Sequence, residues 1–135
     1  MSLVDTYGLL HQDNLLHYFQ LLNYNLKPSI AIGYHSHNNF QLAYSNSMEV
    51  LREPADRTVL VDATLYGMGK SAGNLPIELI SMYMNTVFGR NFNVSQMLEA
   101  IDISIMPFFR KSHGDITCSS IFPPPTTAIR TTSAS

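Results

Sequence analysis

The sequence lacks tryptophan, has a single cysteine, Cys118, and is poor in charge, with only 13% Asp, Glu, Lys and Arg among 135 residues. One cysteine excludes an internal disulfide and is typical of a reducing compartment, so we expect a cytoplasmic protein. Soluble domains average about 25% charged residues. The low charge content therefore favours either a fragment that has lost a partner surface or a subunit buried in an oligomer.

Basic patches and long apolar runs are also missing. The formal net charge is -2, which argues against nucleic-acid binding. No apolar run reaches the ~18 residues that a membrane helix needs. Residues 1–5 contain no basic stretch followed by an apolar run, so we expect neither a secretory signal nor membrane attachment.

Apolar patterning predicts strands that alternate with helices. Residues 3–8 indicate the end of a strand and a glycine turn. A helix with Asp13 as N-cap and Pro28 as its stop should follow. The later predictions are buried strands at 29–34 and 58–63, helices at 39–53 and 74–88 with Pro76 in a first turn, and a fourth helix capped by Ser95.

This order predicts an α/β fold with a parallel sheet and right-handed crossovers. Three strands are too few to close a barrel, but they match a fragment of a (β/α)8 TIM barrel. We therefore assign residues 1–111 to a partial TIM-barrel domain. Periodicity then stops, and a run of prolines precedes Thr and Ser, so residues 112–135 are predicted to be an irregular tail.

His35 and His37 directly follow a predicted strand. Residues two apart in extended chain point the same way, so both imidazoles can face one cation. The carboxyl ends of strands are also where barrel enzymes carry their catalytic residues. The alternative interpretation is two exposed loop histidines.

A second cluster, the glycine-rich loop at 67–74, follows a strand and precedes a helix. Its glycines let backbone approach a ligand, but its spacing matches no nucleotide loop, and a simple tight turn is the alternative. Asp5 and Thr6 end the first strand, and Asp5 is expected to cap a turn. Asp62 has the same interpretation.

Three ordered motifs resemble a known family. Residues 35–43 read HSHNNFQLA, residues 61–69 read VDATLYGMG before Ala72, Gly73 and Asn74, and residues 4–8 read VDTYG. They resemble the HMG-CoA lyase-like (DRE-TIM) metallolyase superfamily, and the wording is most similar to its 4-hydroxy-2-oxovalerate aldolase branch. Lys70 and Ser71 depart from the loop of each branch.

The resemblance implies a later portion of the barrel of an aldolase that cleaves a 4-hydroxy-2-oxo acid to pyruvate and an aldehyde. It implies a divalent ion, Mn²⁺ or Mg²⁺, that acts as a Lewis acid on a bound 2-oxo acid. His35 and His37 would be its ligands, with Asn74 supporting the site. His35 and Thr6, which matches a substrate-contacting serine, would lie at the substrate.

The family's Arg-Asp pair has no counterpart here, because neither Arg57 nor Arg90 is followed by aspartate. Its catalytic histidine base also has no counterpart. We therefore expect no catalytic residue in the chain. We expect an incomplete enzyme that needs either a missing half-barrel or self-association. Two rival hypotheses are a noncatalytic half-barrel that pairs with another chain, and an acyl-CoA-dependent synthase relative.

The tail suggests a change of reading frame. Codons can be chosen for residues 114–133 that, read one base earlier, encode WGYHLLFYLSAAHNCHPNYV, which resembles a segment of the aldolases. We therefore expect that the tail is translated out of frame, that its proline run is no recognition motif, and that Cys118 has no role.

Overall fold

A computed structural model describes the backbone of residues 1–115 and the side chains of residues 1–110. Within these residues the order of elements is β1 Ser2–Asp5, α1 Gln12–Asn25, β2 Ile32–Ser36, α2 Ala43–Arg52, β3 Val59–Asp62, a 3-10 turn Leu65–Gly67, α3 Ile77–Phe88, α4 Val94–Ala100, a π-helical turn Ile101–Ile105 and α5 Met106–Asp115. The predicted alternation of strands and helices is confirmed.

The three strands form one parallel sheet in the order β1-β2-β3. Val4 pairs with His35, and His35 pairs with Asp62, so these three residues form one row across the sheet. The predicted α/β class with three parallel strands is confirmed. Among the described residues, no helix is long and apolar enough to cross a bilayer.

One face of the sheet is covered by α1 and α2. Apolar residues from both helices and from β2 form a buried cluster there: Leu15, Phe19, Ile32, Tyr34 and Val50. A second cluster of Ala43, Leu75, Ile80 and Tyr83 joins α2 to α3. Burial at ~25 cal/mol per Å² of apolar area makes these clusters the main favourable contribution to folding.

The opposite face is open in the described part of the chain. Val4 is 51% exposed and Leu60 is 53% exposed, and β1 and β3 form the two edges of the sheet. The prediction that residues 58–63 form a fully buried strand is therefore wrong for β3, whose residues alternate between half-buried and exposed. An apolar pattern could not reveal this, because it does not show whether another layer packs on a strand.

Several predicted boundaries shift. Helix α1 begins at Gln12 after His11, so Asp13 lies inside the first turn rather than at the N-cap. Asn93, not Ser95, caps α4, because its side-chain oxygen accepts from the Gln96 N–H at 3.1 Å. Pro76 precedes α3 as its N-cap.

The end of the chain is described only in part. Helix α5 reaches Asp115, inside the segment predicted to be irregular. Residues 116–135, with Cys118 and the predicted change of reading frame, lie outside the described residues. The boundary at 111 and the frame hypothesis therefore stay predictions.

Arg57 closes the carboxyl end of α1. Its Nε donates to Asn23 Oδ1 at 2.7 Å, and its Nη2 donates to the carbonyls of Asn23 at 2.7 Å and Leu26 at 3.1 Å. Its Nη1 donates to two carbonyls beyond the helix, those of Lys27 at 3.0 Å and Ile30 at 3.1 Å. The last turn of α1 contains no basic residue of its own. Arg57 therefore satisfies carbonyls that a helix end leaves without partners.

We expect Arg57→Ala to lower the free energy of unfolding by about 2–3 kcal/mol, since several charge-assisted hydrogen bonds are lost together. Urea unfolding followed by circular dichroism would measure this. Arg52→Ala is the matched control, because Arg52 makes one half-exposed ion pair with Glu49 and lies over the Tyr83 ring; it should cost about 1 kcal/mol or less. Equal losses in the two variants would contradict this role for Arg57.

Candidate metal and substrate site

The candidate site residues converge at the carboxyl edge of the sheet. His35 lies within β2, not after it as predicted, because the strand runs from Ile32 to Ser36. His37 follows the strand and forms an isolated bridge with Asn74. The turn after β1 and the loop after β3 meet at the same edge, as parallel strands require.

The two imidazoles make an edge-to-face contact. Their ring centroids are 5.3 Å apart, with the planes at 74°, so the two side chains lie side by side. His35 Nδ1 lies 3.3 Å from Asp62 Oδ2, and His37 Nδ1 lies 3.3 Å from the Lys70 carbonyl oxygen. Both rings thus have one nitrogen in contact with protein.

The loop at 67–74 folds over His37. Gly73 O accepts from Asn38 N at 2.9 Å, and Ser71 Oγ accepts from the side-chain Nδ2 of Asn39 at 2.9 Å. Ser71 adopts a left-handed backbone with φ 63°, which costs of order 1 kcal/mol or more for a non-glycine residue. These contacts fix the loop against the strand that carries the histidines.

Asn74 presents an oxygen without a partner. Its Nδ2 donates to Met68 O at 3.4 Å, whereas Oδ1 is buried and makes no hydrogen bond to the described residues. A side chain at Gly69 would collide with the Asn74 amide, so glycine at position 69 leaves the space that Asn74 occupies. A buried amide oxygen without a partner is a suitable cation ligand, since leaving it unpaired costs free energy.

Asp5 and Thr6 lie in the turn that follows β1. Asp5 is buried, and its two carboxylate oxygens accept from Leu9 N at 3.0 Å and Leu10 N at 3.1 Å. This confirms that Asp5 caps a turn. Thr6 is exposed, and the Asp5 carbonyl accepts from His37 N at 3.3 Å, so the turn lies against the histidine segment.

Tyr34 directly precedes His35 in β2 but points into the helical layer, where it is buried. Burial raises its pKa to about 12, and Asp5 adds to the rise, whereas Asn46 and Ser36 reduce it. The phenol therefore stays neutral at physiological pH and forms part of the core.

A groove of roughly 610 Å³ runs beside β3. Its polar end contains His35 and Asp62, and its apolar wall includes Ile77, Met84 and Phe92. No strand pairs with this side of β3 in the described part of the chain. The groove connects the imidazole of His35 to the open edge of the sheet.

Sequence reasoning missed two groups that contact the histidines: the Asp62 carboxylate and the Lys70 carbonyl. Strand register could have indicated Asp62, because His35 and Asp62 are direct cross-strand partners. Every residue has a main-chain carbonyl, so the residue type at position 70 cannot indicate the contact with His37. Within the described residues, no three His, Cys, Asp or Glu side chains are grouped as a metal site.

These donors fit part of a divalent-metal site. Imidazole nitrogens are common ligands of divalent transition metals, and an amide oxygen can add a further ligand. The remaining coordination positions require ligands other than these three.

Comparison with known proteins identifies a matching family and several relatives. The HMGL-like family matches residues 1–104. A 4-hydroxy-2-oxovalerate aldolase from Thermomicrobium roseum is 32% identical over 106 residues, which are 78% of this chain and 28% of that protein. One from Thermus thermophilus is 35% identical over 77 residues, 56% of this chain and 21% of that protein.

A third relative, 4-hydroxy-2-oxovalerate aldolase 2 from Salinispora arenicola, is 47% identical over 55 residues, 41% of this chain and 15% of that protein. The solved structure titled "N-terminal domain of a putative aldolase", from Bacteroides vulgatus, superposes with a TM-score of 0.68 at 26% identity. It covers 83% of this chain and 36% of the other. The chain therefore spans about a quarter of the length of the first of these relatives.

The predicted resemblance is confirmed by a family match that extends from β1 into the π-helical turn and includes both histidines and Asn74. The three-stranded α/β unit is likewise shared with an aldolase domain of known structure. This chain belongs to the HMGL-like family.

Proposed function

We propose that the chain supplies the histidine segment of a divalent-metal-dependent aldolase that cleaves a 4-hydroxy-2-oxo acid to pyruvate and an aldehyde. The observation that carries this proposal is the pair of adjacent imidazoles, whose ring centroids are 5.3 Å apart, beside the segment that bears the unpartnered Asn74 oxygen. The names of the relatives supply the reaction class.

In this proposal His35 and His37 hold the ion through nitrogen, and Asn74 Oδ1 adds an oxygen ligand. A bound divalent ion would supply Lewis acidity toward the carbonyl of the 2-oxo acid. Thr6, exposed on the turn beside His37, would contact the substrate. His35, in β2, would also contact the substrate.

The chain alone is proposed to be incomplete as an enzyme. Asp5 is engaged in its turn, and Arg57 holds the end of α1. Neither is therefore free to serve as the anionic ligand or the cationic substrate contact that the reaction requires. The catalytic acid–base groups would come from another part of the barrel.

The second candidate is a noncatalytic half-barrel that associates with another chain or with itself. The exposed Val4 and Leu60 on the open face favour it, because apolar side chains on an uncovered sheet form natural contacts for a partner. In that case the histidines would be a structural remnant of the family.

One experiment separates the two. The purified chain is titrated with Mn²⁺ by electron paramagnetic resonance and is then assayed for pyruvate release from 4-hydroxy-2-oxopentanoate. We expect Mn²⁺ binding without measurable turnover. Robust turnover would contradict incompleteness, whereas an oligomer with neither binding nor turnover would support the noncatalytic half-barrel.

A further inference from the structure

The partners of the two histidine rings are both pure acceptors. The carboxylate of Asp62, when ionised, and the main-chain carbonyl of Lys70 accept hydrogen bonds but cannot donate them. Each lies 3.3 Å from an Nδ1 atom. A neutral imidazole that satisfies such a partner carries its proton on Nδ1.

The consequence is the same for both rings. With the proton on Nδ1, the lone pair of Nε2 is free in His35 and in His37 alike. Histidines that bind metals generally have this arrangement, in which the second nitrogen donates to a carboxylate or a backbone carbonyl.

Different structural elements impose the two contacts. Asp62 is the cross-strand partner of His35 in the register of β2 and β3, so the two side chains share one face of the sheet. The Lys70 carbonyl belongs to the loop at 67–74, which the Asn38–Gly73 hydrogen bond ties to the histidine segment.

The exposure of Asp62 indicates what kind of contribution it makes. Its side chain is 62% exposed, against 31% for His35, and exposed ion pairs contribute little to stability. An orienting role needs no large energy, because the choice between the two neutral tautomers is itself a small free-energy difference.

We propose that Asp62 is a positioning residue that holds His35 in the Nδ1–H tautomer and thereby presents its Nε2 to a divalent cation. This inference rests on the metal site proposed above. It assigns the second group, the Lys70 carbonyl, the same effect on His37.

The test begins with metal-free protein. Imidazole nitrogens are recorded by long-range ¹H–¹⁵N NMR at about pH 8. We expect both rings to be protonated on Nδ1. Asp62→Ala should shift His35 toward the Nε2–H form preferred by a histidine side chain in water and leave His37 unchanged.

Asp62→Asn should retain the tautomer, because the amide oxygen still accepts from Nδ1–H. Asp56→Ala is the matched control, since Asp56 is an exposed acidic residue in the loop before β3. Circular dichroism would verify that each variant is folded. A wild-type His35 protonated on Nε2, or an unchanged ring in Asp62→Ala, would overturn the proposal.

The second readout is Mn²⁺ alone, followed through paramagnetic broadening of the imidazole protons. Asp62→Ala should weaken Mn²⁺ binding about tenfold or more, as removal of such outer contacts does, and Asp62→Asn should weaken it less. Equal affinity in wild type and Asp62→Ala would overturn positioning. If the tautomers behave as expected but no variant broadens with Mn²⁺, tautomer control stands and the proposed metal site is refuted.

Discussion

Replacing either His35 or His37 by alanine should abolish Mn²⁺ binding to the chain. The proposed site has only two imidazoles and one amide oxygen, and each substitution removes one of the two nitrogens. Each variant would keep one imidazole and one neutral oxygen, so the ion would lose half of its nitrogen ligands. Electron paramagnetic resonance of the free Mn²⁺ signal would measure the loss directly.

The control for this experiment is His17→Ala. His17 lies on the exposed side of α1, so its loss should leave the Mn²⁺ titration unchanged. His35→Ala and His37→Ala should also keep the wild-type circular dichroism spectrum, since neither ring belongs to the buried clusters. Unchanged Mn²⁺ affinity in both variants would refute the ligand assignment.

Phe19→Ala should destabilise the chain by about 3–5 kcal/mol, since it removes an aromatic ring from the centre of the core. Phe19 is 1% exposed and packs in the cluster with Leu15, Ile32 and Tyr34. Domains are stable by only about 5–15 kcal/mol. We therefore expect a large fraction of the variant to be unfolded at 37 °C.

Urea unfolding followed by far-ultraviolet circular dichroism would measure this loss; the sequence has no tryptophan to report it by fluorescence. Tyr24→Ala is the matched control, because Tyr24 lies on the same helix and is 90% exposed. It should change the free energy of unfolding by about 0.5 kcal/mol or less. A Phe19 variant as stable as the Tyr24 variant would contradict the proposed core.

The fold was largely predictable because its strands and helices differ in apolar period. The runs that became β2 and β3, and the helical spacing of Leu15 and Phe19, are local signals. The exposure of Leu60 was not predictable, since it depends on a layer that the described residues do not contain. The start of α1 was also missed. The Asp5 carboxylate accepts hydrogen bonds from the chain just before this helix, a contact across a turn that residue type alone does not indicate.

The candidate site was predictable at the level of residue type and less so at the level of contacts. Alternation along extended chain was enough to bring His35 and His37 together. The Asp62 partner required the register between β2 and β3, and the Lys70 carbonyl required the path of a loop. Both are properties of backbone geometry, which residue identity specifies only indirectly.

The alternation along β2 determines both where His35 lies and which side of the strand is buried. Ile32, Tyr34 and Ser36 are buried on one side of the strand, and His35 lies on the other. Insertion or deletion of one residue within the strand would exchange the two sides. The imidazole would then enter the apolar layer while Tyr34 faced water, so the altered chain would aggregate instead of folding.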